Sequence, residues 1–75
     1  MQEIDSKLVG LFASNLRRLR EDLKLSQEEV AHRSGLDRTY ISGCERGVRN
    51  PTLASVEKIS AALGVQPDYL LREYQ

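Results

Sequence analysis

Between Asp37 and Asn50 the chain sets Arg38, Thr39, Ser42, Gly43 and Arg46 at helical spacing, which gathers them on one side of a short helix. Small hydroxyls flanked by arginines make that side low, polar and basic. An arginine fork donates two parallel hydrogen bonds to a phosphate or to the edge of a guanine, and Thr and Ser hydroxyls suit base edges of either kind. With Gly43 keeping the surface low, such a helix has the shape and chemistry to lie in a major groove. The opposite side carries Ile41, Cys44 and Glu45, followed by Val48, clustered within about 80° at 100° per residue, and is expected to face a core.

Other chemistry finds little to use. A single Cys cannot close an intramolecular disulfide, and with one His beside it there is no ligand set for structural zinc. His32 reads as an exposed helix residue and Cys44 as a small core hydrophobe. A Cys44–His32 nucleophilic pair would need a third, orienting group and a pocket. Without paired carboxylates, a metal set or a nucleophile constellation, neither an enzyme nor a cofactor nor a small-molecule ligand is expected.

The elements that must position the basic face are legible from periodicity and punctuation. Leu8, Leu11, Phe12, Leu16, Leu19 and Leu23 recur at spacings of three and four, which predicts a first helix from about Asp5 to Lys24. Ser26 and Glu29 have the spacing of a capping box, with Leu25 and Val30 at staple positions, so a second helix should open at Ser26 and end at Gly35 after Ser34. The same grammar repeats with Leu36 and Ile41 around Asp37, predicting a third helix of about Arg38 to Arg46 closed by Gly47. Only Gly35, Leu36 and Asp37 separate the two helices, the connection of a helix-turn-helix. Thr52 should cap a fourth helix with Leu53, Val56, Ile59 and Leu63 on one face, ended by Gly64. Pro67 suits the first position of a short fifth helix, about 67–74. No strand pattern or repeat competes, so the expected fold is all-α, five helices in one domain spanning 1–75.

Composition bounds the rest. Seventy-five residues with 40% hydrophobic content build one small core, burying roughly 60% of the unfolded surface. Eleven basic residues balance eleven acidic ones, so charge is informative only by position. From Arg33 to Asn50 four arginines face two acids, a local net +2, whereas the stretch from Pro51 onward is net −1. Eight of the eleven basic residues are Arg, the side chain suited to bidentate phosphate and guanine contacts. No apolar run approaches the roughly 18–20 residues of a membrane span, and the first residues lack the basic-then-apolar order of a signal peptide. A cytoplasmic location without membrane contact is expected.

The run Leu25-Ser26-Gln27-Glu28-Glu29-Val30-Ala31, then Ser34-Gly35-Leu36, Tyr40-Ile41-Ser42, Glu45-Arg46-Gly47 and Asn50-Pro51-Thr52, resembles the phage-repressor and Cro type of helix-turn-helix domain, over about Asn15 to Leu71. Within that family, Asp37 to Gly43 with Glu45 to Pro51 is similar to the controller proteins of restriction–modification systems. The resemblance implies a five-helix, lambda-repressor-like domain: a sequence-specific DNA-binding transcription regulator acting as a homodimer on the promoter of its own operon. A phage-type repressor or an antitoxin shares the fold, and a helical protein-interaction module without DNA binding is the alternative from another class.

The resemblance also implies roles, residue by residue. Gln27, opening helix two, matches a glutamine that bonds a DNA phosphate, a task suited to a helix N-terminus. Arg38, Thr39, Ser42 and Gly43 match base-facing positions. Tyr40, Arg46, Arg49 and Asn50 match positions that touch the sugar–phosphate backbone, although Tyr40 equally suits packing at the core rim. Arg20 and Glu45 match a core ion pair between helices one and three. Arg38 and Thr39 stand where phage repressors often carry glutamines.

The C-terminal stretch is rich in apolar groups: Val65, Pro67, Tyr69, Leu70, Leu71 and Tyr74 lie within ten residues. One short helix has too little of its own domain to bury them all. Tyr69, Leu70 and Leu71 are therefore expected at a two-fold dimer interface, Leu71 and Tyr69 foremost. Such a dimer would present two copies of helix three to an inverted-repeat operator in double-stranded DNA.

Overall fold

Four short polar side chains start the four α-helices found among the described residues. In the computed structural model, which describes residues 6–73, Ser6 caps α1 (Lys7–Asp22), Ser26 caps α2 (Gln27–Ser34), Asp37 caps α3 (Arg38–Glu45) and Thr52 caps α4 (Leu53–Leu63). Each accepts a hydrogen bond from an otherwise orphaned N–H of its first turn, at 2.9–3.2 Å. Replacing such a cap by Ala costs about 0.5–2 kcal/mol. At α2 the capping box is complete, because the Ser26 N–H donates back to Glu29 Oε1 at 2.8 Å.

The four helices also end alike. After each, a residue with positive φ turns the chain back, and the next N–H reaches a carbonyl five residues earlier: Leu25 to Arg20, Leu36 to Ala31, Val48 to Gly43 and Val65 to Ser60. Gly35, Gly47 and Gly64 fill three of those positions, but after α1 the residue is Lys24, at φ 60. Lys24 adopts that conformation at a steric cost, and the left-handed turn ends α1 at Asp22, two residues short of the expected end; the expected start at Asp5 lies outside the described residues.

Phe12 and Leu16 of α1, Val30 of α2, Ile41 and Cys44 of α3, Ile59 of α4 and Leu70 meet in one fully buried cluster. Full burial of such a side chain is worth about 1.5–3 kcal/mol. Leu25 and Leu36, the staple residues, pack on its rim. Helix α1 lies against α3, while α2 contacts both α3 and α4, so the helix-turn-helix pair is held on a platform of the other two. No strand occurs among the described residues.

The fifth helix is not an α-helix. Pro67–Leu71 forms one 3-10 turn, with no side-chain cap at Gln66, and by Arg72 the chain is extended. Five residues opening on a proline, without an N-terminal cap, are too few to nucleate an α-helix. Residue 74, expected in that helix, lies outside the described residues.

Four apolar residues depart from the faces that periodicity assigned to them, among them Leu23, which is 45% exposed just past the end of α1. Val48 is 57% exposed, because the left-handed Gly47 swings it past the end of α3. Leu8, in the first turn of α1, and Leu53, the first residue of α4, are also exposed, the latter at 85%. Both border a shallow apolar groove with Pro51, Val56 and Leu71, which no other part of the described chain covers.

Candidate nucleic-acid interface

Asp37 caps α3 through the N–H of Thr39, which leaves the first turn of that helix pointing its side chains away from the core. Arg38, Thr39 and Arg46 are exposed and Ser42 is half-buried, so four of the residues expected on the polar face lie at the surface. Gln27, the first residue of α2, connects this face to the interior. Its Oε1 accepts a hydrogen bond from Arg38 Nη1 at 3.4 Å, and its Nε2 donates to Glu45 Oε1 at 3.1 Å. A carboxamide nitrogen carries two N–H donors, so one remains to meet an anion at the start of α2, beside the unpaired N–H groups of that helix.

Glu45 is in turn gripped by Arg20. The guanidinium of α1 donates from Nε and from Nη2, the latter at 2.9 Å, to the two carboxylate oxygens, and from Nη1 to the carbonyl of Leu25 at 2.9 Å. The Arg20 side chain is 13% exposed and that of Glu45 only 4%. Hydrogen bonding to Glu45 raises the Arg20 pKa above its ordinary value, overcoming the opposite pull of desolvation. The pair is a closed fork that ties the end of α3 to α1 and to the turn entering α2. It fixes where α3 sits.

Gly43 does not belong to the exposed face. It is buried, and a Cβ placed there would come 3.4 Å from Cβ of Arg49 and 3.9 Å from Cγ2 of Val48. The physical reason is the return of the chain after Gly47: Val48 and Arg49 fold back over the last turn of α3, and a glycine lets them lie close. Gly43, expected to face bases, lies beneath the Arg49 side chain rather than on the open surface.

Arg49 continues from there to the Tyr40 ring, its guanidinium carbon 5.0 Å from the ring centroid, within cation–π range. The Tyr40 hydroxyl donates to Ser55 Oγ at 3.0 Å, and Thr52 Oγ1 donates to the same oxygen at 3.1 Å. Tyr40 is half-buried, between surface and core rim, and joins α3 to the start of α4. Arg49 and Asn50 are both exposed in the connection between α3 and α4. The structure thus gathers Gln27, Arg38, Thr39, Ser42, Tyr40, Arg46 and Arg49 around two adjoining helices and the loop behind them.

Sequence reasoning missed Ser55. Only the approach of Tyr40 across fifteen positions reveals the place of its buried hydroxyl. Cys44 lies in the core as expected, where burial pushes its thiol up to about 11 against the opposing charge of Arg49. It is a neutral thiol at physiological pH.

At the C-terminal end Tyr69 and Leu71 are half-buried, but Leu70 is entirely enclosed by its own domain. Successive residues of a 3-10 turn point about 120° apart, so Leu70 is enclosed in the core while Tyr69 and Leu71 stay partly open.

Comparison with known proteins agrees with this geometry. The family model described as helix-turn-helix matches residues 16–70, the span that includes α2, α3, α4 and the second part of α1. The chain is 52% identical over 62 residues to control protein C.BamHI of Bacillus amyloliquefaciens, covering 81% of this chain and 76% of that one. Its fold matches the restriction-modification controller protein C.AhdI from Aeromonas hydrophila with a TM-score of 0.80 at 45% identity, over 83% and 94% of the two chains. The restriction-modification controller protein C.Esp1396I, solved as a tetramer in complex with its natural 35 base-pair operator, matches with a TM-score of 0.82 at 38% identity, over 88% and 87%. With a capped α2, a three-residue turn and an arginine-bearing α3 all within the matched span, the chain belongs to the helix-turn-helix family and resembles its restriction–modification controllers.

Proposed function

We propose that this chain is a sequence-specific DNA-binding transcription regulator, a controller that acts as a homodimer on the promoter of a restriction–modification operon. The observation that carries this reading is the placement of Arg38: exposed on the first turn of α3 and steadied by Gln27, which is itself anchored through Glu45 to Arg20. An arginine aimed by its neighbours enters a major groove with less freedom to lose than an isolated one. Arg38, Thr39 and Ser42 read base edges, while Gln27, Tyr40, Arg46, Arg49 and Asn50 hold the sugar–phosphate backbone.

The apolar groove supports the dimer. Leu53, Leu71, Leu8 and Pro51 form an apolar surface that the other described residues leave in water. A two-fold pairing there presents two copies of α3 to an inverted repeat with half-sites about one turn, roughly 34–36 Å, apart. The same reading makes the chain a regulator rather than an enzyme and places it in the cytoplasm with its DNA. No described helix is long and apolar enough to cross a membrane.

A mobility-shift titration with the DNA upstream of the chain's own gene tests the reading. A specific shift is expected, with log affinity falling steeply with log salt as arginine contacts release counterions. Absence of a shift at about 50 mM salt, where phosphate contacts are strongest, overturns it.

A further inference from the structure

Helix α1 buries one polar side chain, Asn15, which is 2% exposed and stands in the Leu11–Phe12–Leu16–Leu19 stripe where another leucine would pack. Its Nδ2 donates to the carbonyl of Leu70 at 2.9 Å and to the carbonyl of Arg72 at 2.7 Å, and its Oδ1 accepts from Arg18 Nη2 at 3.0 Å. Both N–H groups are used, on carbonyls that bracket Leu71. That residue lines the apolar groove together with Leu53 and Val56.

A five-residue 3-10 turn has too few internal bonds to hold its own angle, and at Arg72 the chain leaves it in an extended conformation, φ −94° and ψ 149°. Something outside the turn must set its direction. We propose that Asn15 is a positioning residue of the dimer face: by gripping the backbone on both sides of Leu71 it fixes the angle at which Leu71 and Tyr69 meet a second copy of the chain. The inference rests on the homodimer reading above. Core filling alone does not require an amide, since leucine has the same length and packs in a leucine stripe. What leucine lacks is the pair of donors, and without them the Leu70 and Arg72 carbonyls lose their hydrogen bonds to α1, leaving Leu70 packing alone to hold the turn. Aspartate is worse, because it sets carboxylate oxygens against carbonyl oxygens.

Sedimentation equilibrium and amide hydrogen exchange on wild type, Asn15→Leu and Asn15→Ser test the assignment. For Asn15→Leu the expected result is unchanged protection in α2 and α3, faster exchange at residues 70–73, and a dimer dissociation constant at least ten-fold weaker. Binding to DNA carrying a single half-site stays within two-fold of wild type. Should Asn15→Leu prove incompletely folded, Asn15→Ser, which keeps one donor, is judged by the same readings with a smaller loss of dimer. A folded variant whose dimer constant remains within two-fold of wild type overturns the inference. So does a weakening accompanied by an equal loss of protection in α2 and α3, which would mean general loosening. A wild type that is itself monomeric at micromolar concentration removes the homodimer reading, and the inference with it, before any variant is compared.

Discussion

Gln27 donates a hydrogen bond to Glu45 across 18 positions, linking the first residue of α2 to the last residue of α3 at 3.1 Å. Through it a buried ion pair reaches the surface: Arg20 holds Glu45, Glu45 holds Gln27, and Gln27 holds Arg38. A helix-turn-helix must keep its second helix at a fixed angle to its first. Here the same chain of bonds that sets the angle also steadies the residue assigned to base reading.

Arg38 and Arg49 should separate in their effects on binding. Arg38→Ala is expected to cost about 1–3 kcal/mol on the operator and to relax specificity at one base pair, whereas Arg49→Ala weakens cognate and unrelated DNA alike. Competition binding with single-base operator variants distinguishes them, and equal losses on both DNAs for the two variants would remove Arg38 from the reading set.

Glu45→Ala leaves the Arg20 guanidinium with only the Leu25 carbonyl to accept its hydrogen bonds among those described for it. Breaking a buried pair from one side costs about 3–5 kcal/mol. The expected outcome is a large fall in melting temperature, read by circular dichroism, together with weaker operator binding as Gln27 loses its anchor. An unchanged melting temperature would falsify the role given to this pair.

At Gly43 the outcome depends on side-chain size. Alanine meets Arg49 at ordinary van der Waals contact, 3.4 Å, and gains up to about 1 kcal/mol of helix propensity, so Gly43→Ala should hold or raise the melting temperature. Gly43→Leu should lift Arg49 off α3 and weaken DNA of every sequence. If Gly43→Leu bound normally, the Val48–Arg49 segment would not be part of the interface.

Glu29 gives the fold a dependence on acid. Its acceptance of the Ser26 N–H holds its carboxyl below the ordinary glutamate value, with desolvation opposing and the Ser26 hydroxyl and Arg33 assisting. A carboxyl with a depressed folded pKa stabilises above its unfolded pKa, and that contribution disappears as pH falls through the folded value. Thermal unfolding of wild type and Glu29→Gln between pH 6 and pH 3 checks this. Wild type should lose stability relative to the variant as pH drops below about 4.3, the ordinary glutamate value, and parallel curves would refute it.

Local chemistry determined the elements. Ser26, Asp37 and Thr52 mark helix starts, Gly35, Gly47 and Gly64 mark ends, and the three-residue turn between α2 and α3 is legible as a string, because caps and left-handed turns involve residues within five positions of one another. The exposed Arg38–Thr39 surface follows from the same periodicity. Tertiary structure decided what depends on distant segments returning. Gly43 and Ser42 are adjacent in one helix, yet the fold-back of Arg49 buries the glycine and leaves the serine half-open. Leu70 and Leu71 are equally apolar, but the 3-10 turn sends one into the core and the other to the groove. Asn15 looks like a polar interruption of an apolar stripe until residues 70 and 72 arrive with two carbonyls for its amide. Periodicity reports which side of its own helix a residue occupies; what covers that side is set by contacts between residues far apart in the chain.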